Sequence, residues 1–269
     1  MKEEEVIALS NLCNFKADNV SPLKQEASGR KYWRVSNTSD SFVLCYLDPS
    51  IGNHLDFIQI TNSLQNNNIN SVNVIYHNDE HGLTLQEDLG DKDLLSILNT
   101  ENKTELIEKS LDLLIQIQNA DIKNIDRFTD NELTDQMYLF KNIFLKNFLN
   151  IEMNSSIDDL ISITMSNLKK HPWLNCHFDY ERRNLILNEH QSITAIDYQD
   201  MKKGPIGIDM AGILIDHYYQ CDDDSIRNSL KYFSNKINHK YSGEELHEFL
   251  TYGCLQRNMR ILGLSLIHI

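Results

Sequence analysis

The sequence predicts an α+β chain in two parts: a β-rich segment over residues 1–90 and a mainly helical segment over 91–269. Three observations carry this. Before residue 90 the apolar residues come in short β-branched and aromatic runs bounded by polar turns. From about residue 102 they recur instead at helical spacing. Within the second part, paired apolar runs at 185–187 and 193–196, with polar residues between them, interrupt the helices as a β-hairpin.

Taken in order, 31–36 and 41–47 read as strands, separated by the polar turn 37–40. A helix is expected over 54–64. Residues 72–75 and 83–86 form a second strand pair around His81-Gly82, and Glu87-Asp88-Leu89-Gly90 joins the two parts. Leu106, Ile107, Leu111, Leu114 and Ile117 give a helix over 102–120 one apolar face, with Asn102 and Glu105 as its N-terminal cap. Thr129 and Glu132 make a better capping pair and open a helix to 148, whose Tyr138, Phe140, Phe144 and Phe148 are read as core. A helix from Ser156 ends before His171-Pro172, and further helices are expected over 208–219, 224–236 and 243–262.

With 269 residues, 41% hydrophobic and 24% charged, the chain is long enough for a substantial core and ordinary in composition. Its net charge of −14 argues against nucleic-acid partners and anionic membrane surfaces. A nucleotide stays compatible, because one Mg²⁺ and a few local cations suffice to hold it. Cys13, Cys45, Cys176, Cys221 and Cys254 are dispersed, odd in number and form no C-x-x-C pair. That argues against a disulfide framework or zinc site and points to reduced thiols in a cytoplasmic protein. Met1-Lys2-Glu3-Glu4-Glu5 is too acidic to open a signal peptide, and no apolar run reaches membrane-spanning length.

His177-Phe178-Asp179-Tyr180-Glu181-Arg182-Arg183-Asn184 reads H-x-D-x-x-x-x-N, and Asp197 follows Asn184 by thirteen residues. This is the spacing of a phosphoryl-transfer catalytic loop and its metal-binding aspartate. The chemistry needs a carboxylate beside the attacking hydroxyl, which Asp179 supplies. It also needs oxygen ligands for Mg²⁺, which Asn184 and Asp197 supply. A hairpin with His190-Gln191 at its tip pairs 187 with 194 and 184 with 197, bringing Asn184 and Asp197 to about 5 Å of one another. The bare motif has few fixed positions and matches by chance often. Alone, His177 reads as an interior histidine and Asp197 as a strand-end carboxylate; the conjunction with a hairpin favours a phosphotransferase.

Beyond these residues the chain resembles the aminoglycoside phosphotransferase and choline kinase family, a two-lobe, protein-kinase-like fold. Within that family it is most similar to the bacterial N-acetylmuramate/N-acetylglucosamine kinases. The resembling stretches are Ala27 to Val35, Leu85 to Asp91, His177 to Asn184, Ile196 to Asp200 continuing through Gly204-Pro205 to Ala211, and Leu255-Gln256-Arg257-Asn258-Met259-Arg260-Ile261-Leu262-Gly263. The resemblance implies a nucleotide-binding N-terminal lobe and ATP with Mg²⁺ as cofactors. It also implies transfer of the γ-phosphate to a sugar hydroxyl, the anomeric one of an amino sugar in cell-wall recycling. Asp179 becomes the catalytic base, Asn184 and Asp197 the Mg²⁺ ligands, His177 a brace of the loop and Asp209 its support. Ser28, Gly29, Arg30 and Lys31 would turn over the phosphates, while Glu87 and Leu89 would face the adenine.

Other readings stand beside these roles. Ser28-Gly29 is also a simple strand connection. Arg30, Lys31 and Arg34 also read as a solvated strand face, Asp209 as an N-cap, and Asp200 as either a sugar contact or loop packing. Cys45 stands near the position where kinase-like folds carry a phosphate-gripping lysine, which leaves that clamp to Arg30 or Lys31. The ending at Ser265-Leu266-Ile267-His268-Ile269 reads as a truncated C-terminus. An aminoglycoside or choline-type kinase and a nucleotide-binding pseudokinase are the alternative functions.

Overall fold

The computed structural model describes residues 1–23, 29–151, 155–216 and 221–266. The chain begins α1 (Glu3–Leu12), β1 (Asn19–Pro22), β2 (Lys31–Ser36), β3 (Ser41–Tyr46), α2 (Leu55–Asn66), β4 (Val74–Asn78) and β5 (Leu83–Glu87). It continues α3 (Leu94–Ile97), α4 (Lys103–Asn119), α5 (Asp130–Leu139), a wide π-helical stretch Phe140–Phe148, and α6 (Ser156–Leu168). It then runs β6 (Trp173–Cys176), β7 (Leu185–Leu187), β8 (Ile193–Ala195), β9 (Lys202–Pro205), α7 (Gly207–Leu214), α8 (Asp223–Lys236) and α9 (Gly243–Leu264). Two compact units result: Met1–Lys92 with Ile186–Gln199, and Asp93–Leu185 with Asp200–Ile269. The hairpin segment therefore groups with the first unit, not with the helices on either side of it in sequence.

The first unit is built on an antiparallel sheet in the order β1-β2-β3-β5-β4. Trp33 pairs with Leu44 and Leu44 with Leu85. These residues bury one sheet face against Val6, Cys13, Phe15 and Ala17. Alternation puts the row Tyr32, Cys45, Thr84 on the opposite face. Helix α1 and strand β1 carry no strong sequence signal, yet α1 supplies Val6 to the core. At the β4–β5 turn, Gly82 (φ +62°) lies so close to Leu47 that a Cβ would fall 1.8 Å from its carbonyl oxygen. No other residue fits there.

The β7–β8 hairpin turns through three residues rather than two. Asn188 N–H donates to the Ser192 carbonyl at 2.9 Å, Ser192 N–H donates to Asn188 Oδ1 at 3.0 Å, and Gln191 takes φ +60°. A left-handed residue closing a three-residue loop moves the register by one from the expected pairing. Leu187 N–H donates to the Lys92 carbonyl at 2.9 Å, which ties the hairpin into its unit.

In the second unit the Thr129 cap forms as expected: Glu132 N–H donates to Thr129 Oγ1 at 3.1 Å, and Thr129 N–H to Glu132 Oε2 at 2.6 Å. The Asn102 cap does not. Its Oδ1 accepts from Asn99 N–H and its amide donates to the Ile97 carbonyl, so it fastens the preceding turn instead. The helix opened by Thr129 changes pitch at Leu139–Phe140, where Gly263 of α9 packs against the backbone; a Cβ there would meet Leu139 Cβ at 2.5 Å. The aromatic row is only partly core: Tyr138 and Phe140 pack against it, whereas Phe148 is 59% exposed. Helix α7 ends at Leu214, short of the expected 219, and residues 217–220 lie outside the described ones.

Helices α7 and α9 cross backbone to backbone, since a Cβ on Gly253 would lie 2.1 Å from the Gly207 carbonyl. Strand β6 pairs antiparallel with β9, from Trp173↔Pro205 to Cys176↔Lys202, and delivers the chain into His177. No helix among the described residues is long and apolar enough to cross a membrane.

Candidate active site

The loop after β6 begins with a sharp reversal. Phe178 has φ +72°, a left-handed conformation that costs a bulky residue on the order of 1–3 kcal/mol. Three neighbours hold it. The N–H groups of His177 and Phe178 donate to Asp209 Oδ2 and Oδ1 at 2.7 and 2.8 Å. Arg260 Nη2 donates to the Phe178 carbonyl at 2.8 Å, with its guanidinium 4.2 Å over the ring. The ring itself packs on Phe128, centroids 4.2 Å apart.

Of the two readings of Asp209, loop support and N-cap, the second does not apply: Ile206 occupies the N-cap position, and the Asp209 carboxylate grips the loop. Complete burial raises its pKa, against His177 and the two backbone donors. The His177 ring meets Tyr180 edge-on at 5.7 Å. Tyr180 is buried, its hydroxyl donates to the Ser110 carbonyl at 2.7 Å, and its own carbonyl abuts Gly212 of α7.

Between these anchors Asp179 stays accessible, with 34% of its side chain exposed. Asn184 Nδ2 donates to the Asp179 backbone carbonyl at 2.9 Å and lies 3.4 Å from Oδ2. Arg260 Nη2 is 3.5 Å from Asp179 Oδ1, and Arg183 Nη2 is 4.0 Å from Oδ2. The carboxylate therefore sits between two guanidinium groups on a loop with little freedom.

Sequence reasoning missed several of the residues that make this frame. Glu181, with only 2% of its side chain exposed, accepts from Arg257 Nη2 at 2.6 Å and pairs with Arg183 Nε. Burial pushes the Glu181 pKa up and nearby Asp179 adds to this, while Arg183 and Arg257 oppose it. Arg182 is fully buried, donates to the Ile213 carbonyl at 2.9 Å and lies 3.8 Å from Asp216. One signal was available. Phe249, Gly253, Arg257 and Arg260 share one helical face of α9, so two arginines occupy positions where the pattern asks for apolar residues.

The remaining expected residues belong mostly to the first unit. Asp197 is left-handed (φ +63°) and accepts from Gln199 Nε2 at 2.6 Å. The intervening Tyr198 is buried, stacked on Phe57 at 5.3 Å, and its hydroxyl hydrogen-bonds Thr61 Oγ1 at 2.8 Å. This pins the turn that displays Asp197. Burial pushes the Cys45 thiol up to about 12; Tyr32, Arg30 and Thr84 oppose the rise and Asp197 adds to it. Arg30 and Asp197 thus both act on the Tyr32–Cys45 row. Arg30 shares the alternation of Tyr32, whereas Lys31 falls on the other parity. The charge of Lys31 reaches Asp48, a carboxylate held low mainly by the Ser50 N–H and hydroxyl.

Gly29 has φ +77° just before β2, and Ser28 lies outside the described residues. Arg34 is occupied elsewhere: it makes bidentate contacts to Asp88 at 2.7 and 2.9 Å and to Asp91 at 2.8 and 3.0 Å. Glu87 is engaged as well, its Oε1 accepting from Asn73 N–H at 2.9 Å, and Leu89 is half-buried. The expected residues thus gather in two groups. His177, Asp179, Asn184 and Asp209 are in the second unit, and Gly29, Arg30, Lys31, Glu87, Leu89 and Asp197 are in the first. Asp200 is exposed and belongs to the second unit.

Among the described residues no group of three or more His, Cys, Asp or Glu side chains is arranged to hold a metal by itself. Mg²⁺ bound with a nucleotide needs fewer protein ligands, because phosphates and water complete its octahedron. The donors present are of the right kind. Asn184 commits its amide nitrogen to the loop, which leaves its oxygen end as a donor that could take a cation, and Asp197 is a carboxylate.

A N-acetylmuramate/N-acetylglucosamine kinase of Pseudomonas putida is 24% identical over 208 residues, covering 75% of this chain and 61% of the relative. The chain thus spans less than two-thirds of that relative's length. A kinase of the same description from Neisseria meningitidis is 22% identical over 260 residues, covering 89% of this chain and 75% of the relative. Among solved structures, a spectinomycin phosphotransferase with ADP and spectinomycin shares the fold at TM-score 0.73 and 14% identity, over 98% of this chain and 87% of that one. The Plasmodium vivax ethanolamine kinase does so at TM-score 0.64 and 14% identity, over 93% and 75% of the respective chains. The sequence profile of the phosphotransferase enzyme family matches residues 19–232, a span that contains Asp179, Asn184, Asp197 and Asp209. The chain has the kinase-like fold and belongs to the phosphotransferase enzyme family.

Proposed function

We propose that this chain is an ATP-dependent small-molecule kinase that transfers the γ-phosphate to the anomeric hydroxyl of N-acetylmuramate or N-acetylglucosamine, in the cytoplasm, as a step of cell-wall sugar recycling. The observation that carries the reaction type is the Asp179 loop: an accessible carboxylate on a backbone clamped by Asp209, with Asn184 beside it. The names of the two relatives support the acceptor class. Five unpaired thiols suit a reducing compartment.

Asp179 accepts, or orients, the proton of the attacking hydroxyl. Asn184 and Asp197 would each offer an oxygen to Mg²⁺, which would supply positive charge against the β- and γ-phosphates. Arg30 supplies the cation that Cys45 does not, because it shares the face of the Tyr32–Cys45 row and Lys31 does not. Gly29 and Lys31 shape the turn over the phosphates. The segment Glu87 to Leu89 faces the adenine through its backbone, since the Glu87 carboxylate is held by Asn73. Asp200, exposed, contacts an acceptor hydroxyl.

The test is Mg²⁺-dependent ADP release from ATP with N-acetylmuramic acid, N-acetylglucosamine, kanamycin or choline, with Asp197→Ala as control. Release with an amino sugar that is lost in the control is the expected result. Release with kanamycin or choline alone overturns the acceptor. Nucleotide binding without release to any acceptor favours a pseudokinase.

A further inference from the structure

Two arginines of α9, Arg257 and Arg260, lie against the loop that carries Asp179. Arg257 and Arg260 are three residues apart on α9 and so share one face of the helix. Both are buried, at 1% and 8% exposure. Two buried guanidinium groups are a poor choice for packing alone, since apolar residues of similar size fill such a space with less desolvation. Their partners explain them. Arg257 satisfies Glu181 at 2.6 Å. Arg260 donates to the Phe178 carbonyl at 2.8 Å, lies 4.2 Å over the Phe178 ring and reaches Asp179 Oδ1 at 3.5 Å.

The left-handed turn at Phe178 is therefore held from both ends. Asp209 takes the N–H groups on its N-terminal side, and Arg260 takes the carbonyl on its C-terminal side. The charged groups facing Asp179 are Arg260 at Oδ1, Arg183 at Oδ2 and the carboxylate of Glu181. Arg183 is more than a third exposed and answers to Glu181 as well, whereas Arg260 is enclosed.

We propose that Arg260 is a positioning residue for the reaction: it locks the Phe178 turn and aims the Asp179 carboxylate outward. This rests on Asp179 being the group that receives the acceptor hydroxyl. A buried residue that acts by aim changes turnover and leaves binding alone.

The experiment compares the parent with Arg260→Met and Arg260→Lys, measuring kcat, KM for ATP and acceptor, and amide hydrogen exchange at residues 178–181. Arg260→Met is expected to lower kcat by roughly ten- to a hundredfold while both KM values stay within about twofold. Exchange at 178–181 should rise while α7 keeps its protection. Arg260→Lys, which keeps the charge and one donor, is expected to recover most of kcat. Unchanged exchange at 178–181, or unchanged kcat in Arg260→Met, overturns the proposal. If Arg260→Met does not fold, Arg260→Gln, neutral but able to reach the carbonyl, replaces it, and full kcat in that variant overturns the charge-based aim. A parent that turns over no acceptor refutes the kinase reading, and the exchange data then still decide whether Arg260 holds the loop.

Discussion

Replacing Asp209 is the most direct way to ask whether the Phe178 turn is held as described. The carboxylate accepts two buried backbone N–H bonds of 2.7 and 2.8 Å. Hydrogen bonds to a charged partner contribute about 1.5–3 kcal/mol each. Asp209→Asn offers a single acceptor oxygen and turns its amide N–H₂ toward the other donor. It loses one bond and sets donor against donor. Part of that loss is offset because burying the carboxylate is itself unfavourable, as its raised pKa indicates. A net destabilisation of about 2–3 kcal/mol follows. Asp209→Ala leaves both N–H groups unpaired and should cost about 3–5 kcal/mol, a large share of an ordinary domain's stability. Urea unfolding, followed by far-ultraviolet circular dichroism, measures both. A midpoint for Asp209→Asn within about 0.5 kcal/mol of the parent at unchanged m-value would refute the clamp.

Three other predictions concern the scaffold. Neither ring nitrogen of buried His171 has a hydrogen-bond partner, and burial lowers its pKa from 6.5 to about 4. The unfolded chain takes up a proton between those values that the folded chain refuses, so stability should fall as pH drops from 6.5 to 4, by about 3 kcal/mol in all. His171→Leu should flatten that acid limb in urea titrations repeated across pH; an unaltered slope would assign it elsewhere. Burial raises Cys13 to about 11 and Cys45 to about 12, and only Cys254 of the five thiols is more than marginally exposed. A disulfide exchange reagent at pH 8 should therefore label one thiol of the native protein at most and all five after denaturation. Gly253→Ala drives a methyl into the Gly207 carbonyl at 2.1 Å and should cost more than about 3 kcal/mol or abolish soluble expression. Normal expression and an unchanged urea midpoint would mean that α7 and α9 do not meet there.

Local chemistry was legible in the sequence, and tertiary commitments were not. The Thr129–Glu132 cap could be read because its partners are three residues apart. The H-x-D-x-x-x-x-N loop stood out because it fixes residue type and spacing together. The hairpin was visible in its apolar runs, but its register depended on Asn188 bonding Ser192 and on Gln191 accepting a left-handed turn, which a polar tip does not announce. For Asp209 the residues alone suggested an N-cap, and the supporting role came only from the resemblance, because nothing local in the sequence shows that His177 and Phe178 come to it. Arg34 read as part of a solvated strand face, because its partners Asp88 and Asp91 lie more than fifty residues away in sequence. Helix α1 contributes one buried apolar residue, Val6, too few to mark a period.

The central claim is that Asp179 receives the acceptor proton. The measurement that tests it most directly is kcat and ATP affinity of Asp179→Asn beside the parent, with an amino sugar as acceptor. The account predicts a fall in kcat on the order of 10²–10⁴-fold with nucleotide affinity nearly unchanged. An Asp179→Asn protein that turns over at close to the parent rate would contradict it.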